Sequence, residues 1–446
     1  MPVGLLLVQS GAHAAPQGGA IVGGQGSISA AGNVTSIQQN SARLVAEWNT
    51  FNVDSGELVK FLQPSSSAIA LNRILDQNPS QILGSIEANG RLVLANPNGL
   101  IFAPGASVNV GALVASGLDI TASDFMNGEL SFSSLDSGVV INRGLIQAAS
   151  GGSVSLIGGS VINEGTIIAD LGQVNLGAGT AATLDFDGDG LIQFAVSGEL
   201  TTDLLSEGVA VSNRGTIQSR GGTVLLQAQA AHDVFSQVVN NSGVIKAGGI
   251  DTQGGSVRLV GSGKVTNSGL VDVSADTVNG QAGVVSIVGD QVTHSGAVIA
   301  DVVTGVAGEV ALEAEEKALI ENGVISAQAT GEGQGGTVAI LGHEVELIGE
   351  SVVNVSGVNG GGTILVGGDY RGGNTAIQNS LRTLVSQQSR LYADAITSGD
   401  GGTVIVWSDD TTEFYGQLSA RGGESSGDGG FAEISGKSQL FINDLT

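Results

Sequence analysis

The residues whose types and spacing could do chemistry begin with three aspartates, Asp185, Asp187 and Asp189, set two apart and followed by Gly190. Carboxylates at alternate positions of a loop, then Gly and an apolar residue (here Ile192), are how an EF-hand loop opens around calcium. That loop closes with a bidentate Glu at its twelfth position, where this chain has Val196. Asp185, Asp187 and Asp189 are therefore kept as the sole metal candidate, and the plainer reading is a charged hairpin tip. The histidines, His13, His232, His294 and His343, lie far apart and show no ligand spacing. There is no phosphate loop with Lys. No catalytic set and no cofactor is read from the chain.

Bulk composition narrows the classes. The 446 residues include 72 Gly and six Pro, 41% are hydrophobic, and only 13% are charged. Val, Ile and Leu recur in short alternating runs, which indicates an ordered chain with very many turns. With 42 acidic and 16 basic residues the formal charge is −26, which repels phosphate backbones and argues against nucleic acid as a partner. The absence of cysteine excludes disulfide staples and thiolate metal sites. No run reaches the roughly 18 apolar residues of a membrane span. Leu5 to Val8 followed by Ala12-His13-Ala14 reads as the end of a secretory signal with its start truncated, so residues 1–15 are expected to be a leader.

Beyond Ile141 the chain repeats. One mark is Asn-x-Gly, beginning at Asn142, Asn163, Asn213, Asn241 and Asn267, with His294-Ser295-Gly296 and Glu321-Asn322-Gly323 as degenerate members. From 213 to 241, 267, 294 and 321 the steps are 28, 26, 27 and 27. A second mark is a Gly-led strand start, such as Gly151-Gly152-Ser153-Val154 and Gly335-Gly336-Thr337-Val338. The segments between marks are too short for helices. Period, turn chemistry and β-branched strands predict an all-β fold, a single-stranded parallel β-helix, or β-solenoid. At about 25 residues per coil and about 4.8 Å per rung it should be a rod of order 80 Å, with Gly and Asn at corners where φ is positive.

Several stretches depart from that regularity. Trp48, Phe51, Val53 and Phe61 concentrate bulky residues in a chain with few aromatics, and residues 18–62 are placed to cap the first rung. Residues 68–88 read as strands or one short helix. The run from Leu184 to Phe194 reads as a hairpin leaving the coil, and Asp369 to Asp394 as a second excursion. Glu313-Ala314-Glu315-Glu316-Lys317 reads as a solvated outer face. A β-helical polysaccharide lyase or hydrolase would need a dense basic cleft and paired acids; 16 basic residues are too few, and Asp301 stands alone.

One tetrapeptide is central. Asn96-Pro97-Asn98-Gly99 separates the apolar runs Leu92–Ala95 and Leu100–Ala103. Pro sets φ for the second position of a turn, Asn tolerates the third and Gly suits the fourth, so two strands meet at a tight corner. Around it lie Gly24-Gln25-Gly26-Ser27-Ile28, Trp48-Asn49-Thr50-Phe51-Asn52-Val53, Val59-Lys60-Phe61-Leu62-Gln63-Pro64, Leu71-Asn72-Arg73-Ile74, Gly84-Ser85-Ile86 and Val114-Ala115-Ser116-Gly117-Leu118-Asp119-Ile120. In this order they resemble the amino-terminal secretion domain of two-partner-secretion exoproteins, the filamentous-haemagglutinin family, and look most like its high-molecular-weight adhesin branch. Gly429 to Gly436 is similar to the family as well. A departure is Asn78-Pro79-Ser80-Gln81, where the other branch of the family has Asn-Pro-Asn-Leu.

The resemblance implies a right-handed parallel β-helix with an N-terminal cap and hairpin insertions. Residues 16–270 would be the secretion domain and residues 271–446 further coils that continue beyond this chain. It implies export through a partner outer-membrane barrel carrying POTRA domains, and release to the cell surface or beyond. An adhesive stalk would then meet a host or neighbouring-cell surface. A haemolysin, haem-binding or contact-dependent toxin exoprotein shares the same head and stays open. Asn96, Pro97, Asn98, Gly99, Asn72, Arg73 and Asn52 are the residues expected to serve transporter recognition or to nucleate folding.

Overall fold

Alternation in the strands sets the architecture. In Ser256–Gly261 the residues Val257 and Leu259 are buried while Arg258 between them is exposed. Such strands bury one side, and stacking them one per coil joins the buried sides into one core. The computed structural model describes residues 15–134, 137–185, 193–249, 254–275, 277–278 and 280–442. It is a parallel β-helix with three faces. The first face runs from Arg43–Trp48 through Ile69–Ile74, Arg91–Ala95 and Ala112–Ser116 to Phe431–Gly436. The second face runs from Ser80–Ile82 and Leu100–Phe102 to Gln439–Ile442, and the third from Val34–Gln39 to Gln417–Ser419. Val284–His294 and Glu309–Glu321 each bend round a corner and serve two faces.

Thirteen successive parallel pairings stack fourteen rungs on the first face. At about 4.8 Å each these span ~62 Å, shorter than the rod expected, because cap and insertions consume chain without adding rungs. The cap is also narrower than residues 18–62. Ala20–Gly23 and Gly26–Ala31 pair antiparallel with Arg43–Trp48 and Val34–Gln39, and the first coil begins at Val34. Trp48, Phe51 and Phe61 fill that coil, fully buried, with Trp48 and Phe51 edge to face at 5.4 Å. Residues 69–88 are strands, not a helix.

The corner between the second and third faces is the Asn-x-Gly turn. Asn142 donates through Nδ2 to Asn163 Oδ1 at 2.8 Å, and the pattern repeats from Asn163 to Asn213, Asn213 to Asn241 and Asn241 to Asn267. All five are fully buried, so every rung satisfies the polar atoms of the one beneath it. The glycines here do not have positive φ, contrary to expectation. A Cβ at Gly165, Gly215, Gly243 or Gly269 would overlap the carbonyl oxygen of the glycine one coil below. Close stacking, not backbone handedness, requires them. Beyond His294 the column also shifts: Ile320, not Glu321, stands over the ring, after an irregularity in the register of the two bent strands.

At the third corner, carboxylates clamp neighbouring coils. Asp394 accepts from Ser419 Oγ at 2.6 Å, from Arg421 N at 2.7 Å and from the Arg421 guanidinium at 2.8 Å. Asp170 is held likewise by Arg220 and Gln218. Burial pushes both carboxyls up, but these bonds outweigh it and hold both below their ordinary value. Asp301, isolated in sequence, accepts from Ser326 Oγ and Gln328 N. In the Glu313–Lys317 run, the three glutamates are exposed and Lys317 pairs with Glu346 at 2.7 Å.

Candidate functional site

The three longest connections leave from one edge, the corner between the first and second faces. Residues 117–138, 179–208 and 367–381 each connect a first-face strand to the second-face strand that follows. In solenoids, insertions gathered on one side mark the face that differs between family members and carries contacts. The helix Ala122–Asn127 starts at Thr121, whose hydroxyl accepts from Asp124 N at 3.1 Å, and stops at Gly128 with φ +98. Leu130–Ser133 then pairs antiparallel with Ala181–Asp185, which pairs with Gln193–Ser197. Phe125, Phe132 and Leu184 from these pieces cover Leu71, Val93 and Val114 on the outside of the first face.

The Leu184–Phe194 hairpin is thus present in its strands, while Asp187 and Asp189 at its tip lie outside the described residues, as does the leader through residue 14. Among the described residues no cluster of three metal-ligating side chains occurs. The later excursion ends at Leu381, earlier than expected. Arg382–Val385 and Arg390–Tyr392 are ordinary rungs, paired with Glu344–Ile348 and Val352–Asn354.

The same edge holds the Asn96–Gly99 corner. Gly99 N donates to Asn96 O at 2.8 Å, closing the turn, and Asn96 Oδ1 accepts from Asn98 N at 2.9 Å. The Asn96 side chain also reaches down one coil. Its Nδ2 donates to Asn78 O at 3.1 Å and to Ser80 Oγ at 3.0 Å. Ser80, one of the two residues that depart from the related Asn-Pro-Asn-Leu text, is therefore the fully buried partner of Asn96. Asn98 Nδ2 donates to Asp76 O at 2.8 Å, and one coil earlier Asn52 Oδ1 accepts from Gln81 N at 2.7 Å. Gly99 has φ +111, and a Cβ there would stand 2.6 Å from Val139 O in the next coil.

Burial divides the turn. Asn96 and Gly99 are buried, Pro97 is half-buried and Asn98 is exposed. An open groove of about 440 Å³ runs beside it, lined by Pro97, Asn98, Val139, Thr180, Leu200 and Leu204.

The other two candidates sit on the first face. Asn72 is fully buried; its Oδ1 accepts from Trp48 Nε1 at 2.9 Å and its Nδ2 donates to Val93 O at 3.4 Å. Arg73 points outward and holds Asp119 with two bonds, at 2.9 and 2.8 Å, and Glu47 at 3.0 Å. Those bonds, led by Asp119, raise its pKa above the ordinary value. Arg73 thus ties the first insertion to the first rungs. The structure places Asn52 and Asn96–Gly99 on one edge, two coils apart, and keeps Asn72 as an internal strut. Sequence reasoning did not name Asp76, and it quoted Asn78 and Asp119 within motifs without giving them a role at the site.

A model of the TPS secretion domain matches residues 12–273. The chain is 33% identical over 215 residues to a heme/hemopexin-binding protein of Haemophilus influenzae, covering 46% of this chain and 24% of that protein. It is 43% identical over 84 residues to another Haemophilus influenzae protein of the same name, covering 19% of this chain and 9% of that protein. The aligned segments thus span a quarter or less of the length of these curated relatives. Among solved structures it is similar to the HMW1 secretion domain from Haemophilus influenzae, with TM-score 0.56 and 27% identity over 96% of each chain. On the extent of the match over residues 12–273, this chain belongs to the TPS secretion domain family.

Proposed function

We propose that the N-terminal coils, to about residue 270, are the address by which a partner outer-membrane barrel exports this exoprotein, and that the later coils begin an adhesive stalk. The observation that carries the reading is the secretion-domain match over residues 12–273, which takes in the cap, the Asn96–Gly99 corner and the five-asparagine ladder. Exoproteins of this family are secreted across the outer membrane. The partner would carry POTRA domains and meet the chain extended in the periplasm. Each coil pairs mainly with its predecessor, so the stack can grow as the chain emerges, and folding outside disfavours return. In the folded corner a partner could touch Pro97 and Asn98, whereas Asn96 and Gly99 act from inside. No catalytic role is assigned. The test is secretion with and without the adjacent transporter gene: wild type should reach the medium only with it, and equal release without it would overturn the reading.

A second reading keeps the address and changes the cargo to a haem-binding exoprotein. It is favoured by the heme/hemopexin-binding name of both curated relatives. Haem and hemopexin capture by the full-length gene product separates the two: binding of either would replace the adhesive stalk.

A further inference from the structure

The asparagine ladder does not simply end. Above Asn267 the next position is His294, and above that the column turns apolar, with Ile320, Leu347, Val385 and Phe414 stacked in turn. The register between Val284–His294 and Glu309–Glu321 shifts just before this position, between Gly289 and Gln291. His294 is therefore a joint between two stacks with different corner chemistry.

The ring is completely buried and fits this junction in one protonation state. His294 Nδ1 lies 3.1 Å from Asn267 Nδ2, which can only donate, and 3.2 Å from Asn267 O, which already accepts from Ser295 N and Gly296 N, so Nδ1 accepts from the amide. The remaining proton is then on Nε2, which donates to Val324 O at 3.2 Å. Protonating Nδ1 would leave the Asn267 amide facing a donor and would put a cation beneath Ile320 with no carboxylate to meet it. Burial already pulls the imidazole below its ordinary value, against a weaker opposing pull from the carbonyls of Val324 and Asn267.

No charge from the packed elements compensates. Of the strands around it, Lys264–Asn267 carries Lys264, Leu270–Asp272 carries Asp272, Val324–Ser326 carries none, and its own strand carries Asp290. Glu309–Glu321 carries Glu309, Glu313, Glu315, Glu316, Lys317 and Glu321. Of these only Glu321 adjoins the residue stacked on the ring, and its side chain is exposed. The ring's hydrogen-bond partners are Asn267 and the Val324 carbonyl alone.

We propose that His294 is a pH-sensitive joint in the solenoid, closed by the neutral ring and opened by its protonation, which uncouples the coils before it from those after it. In an opened joint the ring regains its ordinary affinity for protons, so opening is favoured as pH falls below about 6.5 and is independent of pH above it. Between pH 7.5 and pH 5.0 the opening equilibrium should rise about thirtyfold if the closed ring stays neutral throughout.

Hydrogen exchange on the whole chain, corrected for intrinsic exchange at each pH, tests this. The amides of Ser295, Gly296 and Val324, which donate to the carbonyls of Asn267 and Gly296, should lose protection at pH 5.0 relative to those of Gln173–Ala178. The variant His294→Asn, which adds a non-titrating rung, should abolish that difference. Equal relative protection at both pH values in wild type, or the same pH-dependent loss in His294→Asn, would overturn the proposal. If that variant does not fold, ¹⁵N spectra of histidine-labelled wild type decide: a proton on Nε2 at pH 7.5 supports the joint, and one on Nδ1 refutes it.

Discussion

Replacing Asn96 by Ala separates the two roles open to the Asn96–Gly99 corner. The substitution removes the bonds from Nδ2 to Asn78 O and Ser80 Oγ and the bond from Asn98 N to Oδ1. Each is worth about 0.5–1.5 kcal/mol net, and the partners left behind are largely enclosed, so the loss should be about 2–4 kcal/mol. Asn98→Ala removes one bond from an exposed side chain, to Asp76 O, and should cost about 1 kcal/mol or less. Urea unfolding followed by Trp48 fluorescence in a Trp407→Phe background reads the coils in question, because Trp48 is buried two coils below the turn. Equal losses for the two variants, or an Asn96→Ala loss under about 0.5 kcal/mol, would refute the division into an inner strut and an outer surface. If the partner reads the folded corner, Asn98→Ala should lower export while barely moving stability.

Three further outcomes follow from the same geometry. Gly99→Ala combines positive φ with a Cβ close to Val139 O, and should cost about 2–4 kcal/mol in the same urea assay. Asn213→Ala in mid-ladder deletes one bond to Asn241 and one from Asn163, so about 2–3 kcal/mol should go, with amide exchange rising first in the coils on either side. The Asp394 carboxyl is held below its ordinary value of 3.8, so the unfolded chain binds the proton first as pH falls. Its share of stability is complete above pH 3.8 and is lost as pH drops through the folded value, which acid titration of Asp394→Asn should show as a shallower loss below pH 4.

The coil was legible because its signals are local and repeated. Asn-x-Gly at steps near 27 marks a single corner, and Val or Ile two residues before each Asn marks the inward side. What stayed hidden depends on contacts between coils. The glycines of that corner look like turn residues wanting positive φ, yet they are needed because the next backbone lies against them. The Asn96–Gly99 turn was readable as a turn, but its hold on Asn78 and Ser80 was not, since sequence spacing does not say which corners stack. The helix Ala122–Asn127 and the strand Leu130–Ser133 that joins the hairpin were missed for a related reason: Leu130–Ser133 finds its partner Ala181–Asp185 some 50 residues away. The 369–394 stretch was read as excursion throughout because Gln and Ser obscure the alternation of Arg382–Val385, which only pairing with Glu344–Ile348 reveals.

The most direct test of the central claim is whether the N-terminal coils alone carry a passenger out. Residues 1–273, behind a complete signal sequence and fused to an unstructured reporter, should place the reporter outside the cell only when the transporter is co-expressed. The same fusion should be retained in the periplasm without it. Release that is equal with and without the transporter, or retention in both cases while the full chain is secreted, would contradict the assignment of the address to these coils.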